Sequence, residues 1–208
     1  MTTINCIDST MPIEISKGGT NTSSYSTNTF LTYNGTSIRS TPIPLTSSNV
    51  YQNSYQPGFL AYSTGATSVT GNGTAYTVIF NSVIFDKNSN YNNGTGVFTA
   101  PVTGKYAFYI ALVAANIAAG HTSGNMQLVT TGRTYISNIT NFYKGSCLWP
   151  YPDQSFRVTG QEMCVLADMS IGDTAHVVLT VSGSTKTVNV YTVAPYTNGN
   201  RFQAFLLC

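Results

Sequence analysis

One stretch, Phe80 to Phe108, limits what this chain can fold into more than any other. Five residues separate Phe80 from Asp86, four separate Asp86 from Tyr91, six separate Tyr91 from Phe98, and five separate Phe98 from Gly104. Gly104-Lys105-Tyr106-Ala107-Phe108-Tyr109-Ile110 then follows without a break. In a chain otherwise rich in Ser, Thr and Asn, aromatics at such offsets mark positions that must meet in one core. From Lys105 to Ala114, Tyr106, Phe108, Ile110 and Leu112 alternate on one face. Ala107, Tyr109, Ala111 and Val113 alternate on the other and are also largely apolar. Both faces of such a strand want burial, and one of them is expected to find it between subunits.

The rest of the chain from Ala75 onward has the same period of two, with β-branched and aromatic runs broken by Gly, Asn and Pro, and no long 3.6-residue apolar face. An all-β fold follows. Strands are expected at Tyr76–Phe80, Ser82–Phe85, Lys105–Ala114, Met126–Val129, Arg133–Ile139, Phe156–Met169, Ala175–Val181, Thr185–Val193 and Arg201–Leu207. Asn34-Gly35, Asn72-Gly73 and Asn93-Gly94 supply the positive φ angles of tight turns. Each of these pairs precedes a Thr, so it also reads as a glycosylation acceptor, as do Asn21-Thr22-Ser23 and Asn138-Ile139-Thr140.

The ordered set Phe80, Asp86, Tyr91, Phe98, Gly104, Tyr106, Phe108 resembles the C1q-domain signature, with Ile110 standing where the family has an aromatic. Phe59-Leu60-Ala61 resembles the family's first strand and Ile171-Gly172-Asp173-Thr174-Ala175 its late Gly-Asp turn. Phe202-Gln203-Ala204-Phe205-Leu206-Leu207 resembles its closing strand, Ala204 replacing the usual Gly. The resemblance implies a C1q/tumour-necrosis-factor-like jelly roll over residues 57–208 that assembles as a homotrimer. Phe80, Tyr91, Phe98, Tyr106, Phe108, Ile110 and Phe205 would then fill its core or threefold contact.

Residues 1–56 are different in kind. Ile13-Glu14-Ile15-Ser16-Lys17-Gly18-Gly19-Thr20, Tyr25 and Phe30 to Ile38 are short extended pieces with too few apolar residues for a core of their own. They resemble the Gly-Gly-Thr-containing shaft and attachment segments of phage and other viral tail fibres, in which strands from three chains share one core. Thr41-Pro42-Ile43-Pro44-Leu45 reads as a stiff extended link, since proline fixes φ and donates nothing to a ladder.

Composition narrows the partners. Charged residues make up 8% of the 208, and the net charge of +2 comes from scattered residues, so nothing tracks a phosphate backbone and no nucleic-acid partner is expected. No run of about 18 apolar residues is present to insert in a membrane. Met1 to Cys6 shows neither a basic region nor an apolar one, so no secretory signal is expected there. Cys6, Cys147, Cys164 and Cys208 form no CxxC pair, which disfavours zinc. Cys164, in the apolar run Met163-Cys164-Val165-Leu166, is expected to be a buried thiol, leaving Cys6 and Cys208 as the better cross-link candidates.

Material for catalysis is sparse. The acids are Asp8, Glu14, Asp86, Asp153, Glu162, Asp168 and Asp173, the histidines His121 and His176. Asp168 and Asp173 bracket one turn, yet a glycosidase needs carboxylates facing each other across a cleft. Neither histidine has a partner at ligand spacing, and each is expected to be structural or solvated. Some C1q-family heads bind calcium, but no Asp-rich loop offers its six to eight oxygens. No cofactor, no metal and no enzyme activity are expected.

Recognition has better material. The segment from Asn141 to Asp153 holds Phe142, Tyr143, Lys144, the single Trp149 and Tyr151. Aromatic faces with polar tips stack on sugars or apolar groups at low conformational cost, though the same rings would serve equally for packing on a neighbouring subunit. Tyr196 marks a second, weaker candidate. The expectation is a non-enzymatic, trimeric fibre head on a virion surface that binds a host-cell glycan or protein, with residues 1–56 joining it to the particle. An extracellular adhesive or structural protein of a bacterium or spore coat is the alternative, and a fibre-borne glycan hydrolase is a third reading.

Overall fold

A computed structural model describes residues 29–33, 38–42, 56–139, 158–192 and 199–207. The chain divides into two units, Met1–Ser54 and Tyr55–Cys208. In the first, β1 (Thr29–Tyr33) and β2 (Ile38–Pro42) form an antiparallel pair running from Thr29↔Pro42 to Tyr33↔Ile38. Thr41 and Pro42, read from the sequence as the start of a stiff extended link, are the last two residues of β2, and Pro42 takes its final position, where a missing N–H costs least.

The second unit is all antiparallel β. Its strands are β3 (Gly58–Tyr62), β4 (Ala66–Thr70), β5 (Tyr76–Thr77), β6 (Ser82–Lys87), β7 (Tyr91–Asn92), β8 (Val97–Thr99) and β9 (Gly104–Ala115). They continue with β10 (Ser123–Thr130), β11 (Thr134–Asn138), β12 (Thr159–Met169), β13 (Thr174–Ser182), β14 (Val188–Val190) and β15 (Arg201–Leu206). One sheet runs β11-β10-β13-β8-β7 with β5 also on β13, and the other runs β4-β14-β9-β15-β3-β6 with β12 also on β9. Together they make a jelly-roll sandwich. Among the described residues, the strand expected at Tyr76–Phe80 keeps only β5, and the part of Thr185–Val193 up to Thr192 keeps only β14. Beyond β5 the Val78 N–H still bonds the Val177 carbonyl at 2.8 Å, and Val78 and Phe80 send their side chains into the core.

The spaced aromatics meet there. Phe59, Phe80, Phe98, Tyr106, Phe108 and Phe202 are fully buried and Tyr91 nearly so. Phe59 stacks on Tyr91 at 4.5 Å and meets Phe202 edge-on at 4.9 Å. Phe98 meets Tyr106 at 5.5 Å and Phe108 at 5.9 Å, geometries that add to simple burial. The two phenol oxygens are satisfied, Tyr91 donating to the Phe80 carbonyl at 3.1 Å and Tyr106 to that of Val102 at 2.7 Å. Burial raises the Tyr91 pKa above its usual value of 10, and nearby Asp86 adds to that shift.

Asp86 explains its own place in the pattern. Its carboxylate accepts the backbone N–H of Asn90 at 3.1 Å and of Tyr91 at 3.0 Å. It thereby holds a turn in which Asn88 and Ser89 take φ angles of 66° and 53°, a region costly for such residues unless the surroundings impose it. Nearby, Gly96 has φ +76°, and a Cβ there would lie 2.7 Å from the Val78 carbonyl oxygen, so no other residue fits.

Candidate functional site

The outer face of the β12-β9-β15-β3-β6 layer leaves several large apolar side chains exposed. Strand register places its side chains in rows. Leu166, Ala107, Phe205, Gly58 and Lys87 form one row; Cys164, Tyr109, Gln203, Leu60 and Phe85 the next; Glu162, Ala111, Arg201, Tyr62 and Ser82 the third. Leu166 is 64% exposed, Phe205 and Phe85 47% each. Gly58 leaves a notch between the last two, 3.7 Å from Phe205 Cβ and 3.9 Å from the Phe85 ring when a Cβ is placed on it. Ile84 is the extra residue where the register of β6 on β3 shifts, and it turns outward.

A polar cluster at Arg201 interrupts this face. The Arg201 guanidinium lies 4.5 Å from the Tyr109 ring centre, its Nη2 donates to the Tyr109 hydroxyl at 2.8 Å, and Glu162 Oε1 stands 3.7 Å away. The Arg201 Nε is buried with no hydrogen-bond partner. Lys105 and Asp168 face each other at the far end of β9 and β12, so charges on these three strands balance.

The structure distributes the sequence-derived candidates unevenly. Phe80, Tyr91, Phe98, Tyr106, Phe108 and Ile110 point into the sandwich, whereas Phe205 points out from β15. Phe142, Tyr143, Lys144, Trp149, Tyr151 and Tyr196 lie outside the described residues. Cys164 corrects an expectation: it is exposed rather than buried. Val165, Ala167 and Met169 take the inward positions of β12, and strict alternation sends Cys164 and Leu166 out despite the apolar run around them.

The titratable groups are occupied structurally. His121 is fully buried; its Nδ1 accepts the Ala118 N–H at 2.9 Å and its Nε2 lies 3.1 Å from the Thr185 carbonyl. Burial lowers the pKa of His176 from 6.5. Asp173 caps its turn by accepting the Ser170 N–H at 2.7 Å, while Gly172 takes φ +87°. No three His, Cys, Asp or Glu side chains converge among the described residues. An open cleft lined by Ser89, Asn90, Asn92, Asn93 and Thr95 is polar, but its amides are committed locally: Asn92 Oδ1 accepts the N–H of Gly94 and of Thr95.

Sequence reasoning missed Arg201 and Glu162, which are 39 residues apart by number and meet only through the pairing of β15 and β12 with β9. The available signal was a charged residue at an outward position of each strand. Among solved structures, the globular domain of zebrafish complement 1qA protein shares 18% identity, covering 73% of this chain and 98% of that one, with a TM-score of 0.48. Murine APRIL shares 8% in its structure at pH 5.0 and 9% at pH 8.0, each covering 73% of this chain and 99% of the other with a TM-score of 0.45. A sequence search among curated proteins finds no match. The model of the C1q domain matches residues 59–189, a span that contains the whole spaced-aromatic pattern from Phe80 to Phe108, and the chain therefore belongs to the C1q domain family.

Proposed function

We propose that this chain is a non-enzymatic binding head that works as a homotrimer, with residues 57–208 as the head and residues 1–56 as the segment joining it to a viral or phage particle. Domains of this family are generally binding modules rather than enzymes. The observation that carries the reading is the outer sheet face: Leu166 on β12, Phe205 on β15 and Phe85 on β6 leave apolar side chains exposed across the strands of one sheet. Soluble proteins seldom expose contiguous apolar surface without a partner. A threefold contact uses two different patches on each protomer and closes into a ring, which leaves the loops free for a receptor. Phe142, Tyr143, Lys144, Trp149, Tyr151 and Tyr196 are the receptor contacts in this reading, with a host-surface glycan or protein as the partner.

Light scattering coupled to gel filtration of the full chain tests the assembly. The expected mass is three times the 22.3 kDa of one chain; a protomer mass at micromolar concentration overturns it. Receptor contact is tested by Trp149→Ala in a host-cell attachment assay, with the trimer mass as control. Loss of an aromatic anchor costs about 2 kcal/mol or more, so attachment is expected to fail while assembly persists. Normal attachment by the substituted trimer would remove Trp149 from the site.

A further inference from the structure

We propose that the polar cleft beside β7 and β8 is a recognition site of its own, and that it takes a neutral saccharide. The inference rests on the reading of this chain as a binding head and adds to it a site and a ligand class. Ser89, Asn90, Asn92, Asn93, Thr95 and Thr99 line an opening of about 660 Å³, a size common among ligand clefts. Tyr91 and Val97 complete the lining, and no charged side chain joins it. An ionic ligand would find no counter-charge there, and an apolar one would cover amides and hydroxyls without bonding them. A neutral sugar presents hydroxyls that both donate and accept, the same mixture that the lining offers.

Local hydrogen bonds decide which end of each amide is left over. Asn92 Oδ1 accepts the N–H of Gly94 at 2.9 Å and of Thr95 at 3.2 Å, so its amino group remains to donate. Asn90 and Asn93 each donate one N–H, to the carbonyls of Lys87 at 2.9 Å and Asn81 at 3.3 Å, and their Oδ1 atoms remain to accept. The backbone beneath is tied down as well: the Asn90 carbonyl accepts the Thr99 N–H and the Asn92 carbonyl that of Gly96, each at 2.8 Å. Polar groups fixed before binding lose little freedom when a ligand arrives. At the rim, Asn88 and Ser89 hold φ angles of 66° and 53°, and positive φ kept by non-glycine residues gathers at ligand sites. β7 and β8 belong to the sheet opposite the outer face, so a threefold assembly through that face carries three such clefts, and weak single contacts gain from multivalency.

The test applies the full chain to a printed panel of neutral, sialylated and sulfated oligosaccharides, with saturation-transfer NMR on the methyl glycosides of glucose, galactose and mannose. Thr99→Trp blocks the cleft: position 99 is exposed on β8, and a strand accepts Trp readily. Wild type is expected to retain neutral members of the panel. Thr99→Trp should weaken that binding at least about tenfold with circular dichroism and assembled mass unchanged, and Trp149→Ala should leave it intact. Neutral-saccharide binding that survives Thr99→Trp overturns the site, as does wild-type binding of anionic members alone. Wild type that binds no saccharide yet attaches to host cells overturns the cleft and keeps the binding-head reading; failure of both overturns both. Should Thr99→Trp not fold, Thr95→Val is read instead: removal of one lining hydroxyl should weaken binding about fivefold, and an unchanged affinity overturns the proposal.

Discussion

The two faces of β9 carry the same alternation to different ends. Inward, Tyr106, Phe108, Ile110 and Leu112 are buried by side chains of the same protomer. Outward, Ala107 and Ala111 are small and already shielded, Tyr109 is held under Arg201, and the adjacent strands add Leu166 and Phe205 with much of their surface in water. The inner face is finished by large rings that need one another; the outer face carries the small Ala107 and Ala111 either side of Tyr109 on the central strand, and larger exposed residues on the strands beside it. A protomer core needs interlocking volume, whereas a surface that meets another molecule must first be tolerable alone. The difference separates residues that decide whether the chain folds from residues that decide what it joins.

That separation can be broken experimentally. The largest expected effect is on the inner face, where Phe108→Ala removes a ring packed against Phe98 and Phe202 and should destabilise the protomer by about 3–5 kcal/mol in denaturant unfolding. Asp86→Ala comes next. It strips the acceptor from two backbone N–H groups, and about 1–3 kcal/mol should be lost; Asp86→Asn, which keeps one acceptor oxygen, should fall between. On the outer face, Leu166→Ala should leave protomer stability within about 0.5 kcal/mol while the association constant falls several-fold by dilution light scattering. Equal stability losses for Phe108→Ala and Leu166→Ala would erase the distinction.

A smaller effect concerns His176. Its pKa is lowered by burial, so the unfolded chain binds the proton more readily, and this contribution to stability is present above the unfolded value of about 6.5 and lost as pH falls from there through the lower folded value. The half-exposed ring keeps the change under about 1 kcal/mol, and His176→Gln should flatten that part of the stability profile. The smallest effect belongs to deletion of residues 1–56. Their sparse apolar residues cannot offset an ordering cost of about 1–2 kcal/mol per residue within one chain, so the head's melting temperature should hardly move; a large drop would make these residues part of the head's core.

Legibility in the sequence followed the range of the interactions. Phe80 to Phe108 was readable because its parts act over short distances: Asp86 serves N–H groups four and five residues on, and alternation along β9 needs no partner to be seen. Cys164 was misread because its direction depends on the register of β12 against β9, where it lies opposite Tyr109, and composition carries no register. His121 left two readings open, structural or solvated, until Thr185, 64 residues away, closed over its ring. β4, Ala66–Thr70, was not anticipated because Ser and Thr dilute its pattern, and its place comes from pairing with β14. For the outer face, sequence showed that β9 wants two covers; only the folded sheet shows Arg201 and Glu162 standing in the middle of one.

Tyr91 carries an optical consequence of its burial. Its hydroxyl is bonded to the Phe80 carbonyl and its pKa is raised by burial first, while phenols open to water ionise near pH 10. In an alkaline titration followed by ultraviolet difference absorbance, Tyr91 would stay silent as such tyrosines turn to phenolate. Because the unfolded chain releases this proton more easily, stability falls as pH rises above about 10. The late, cooperative rise in absorbance would then mark the sandwich opening, so this core tyrosine reports on the integrity of the domain without any added label.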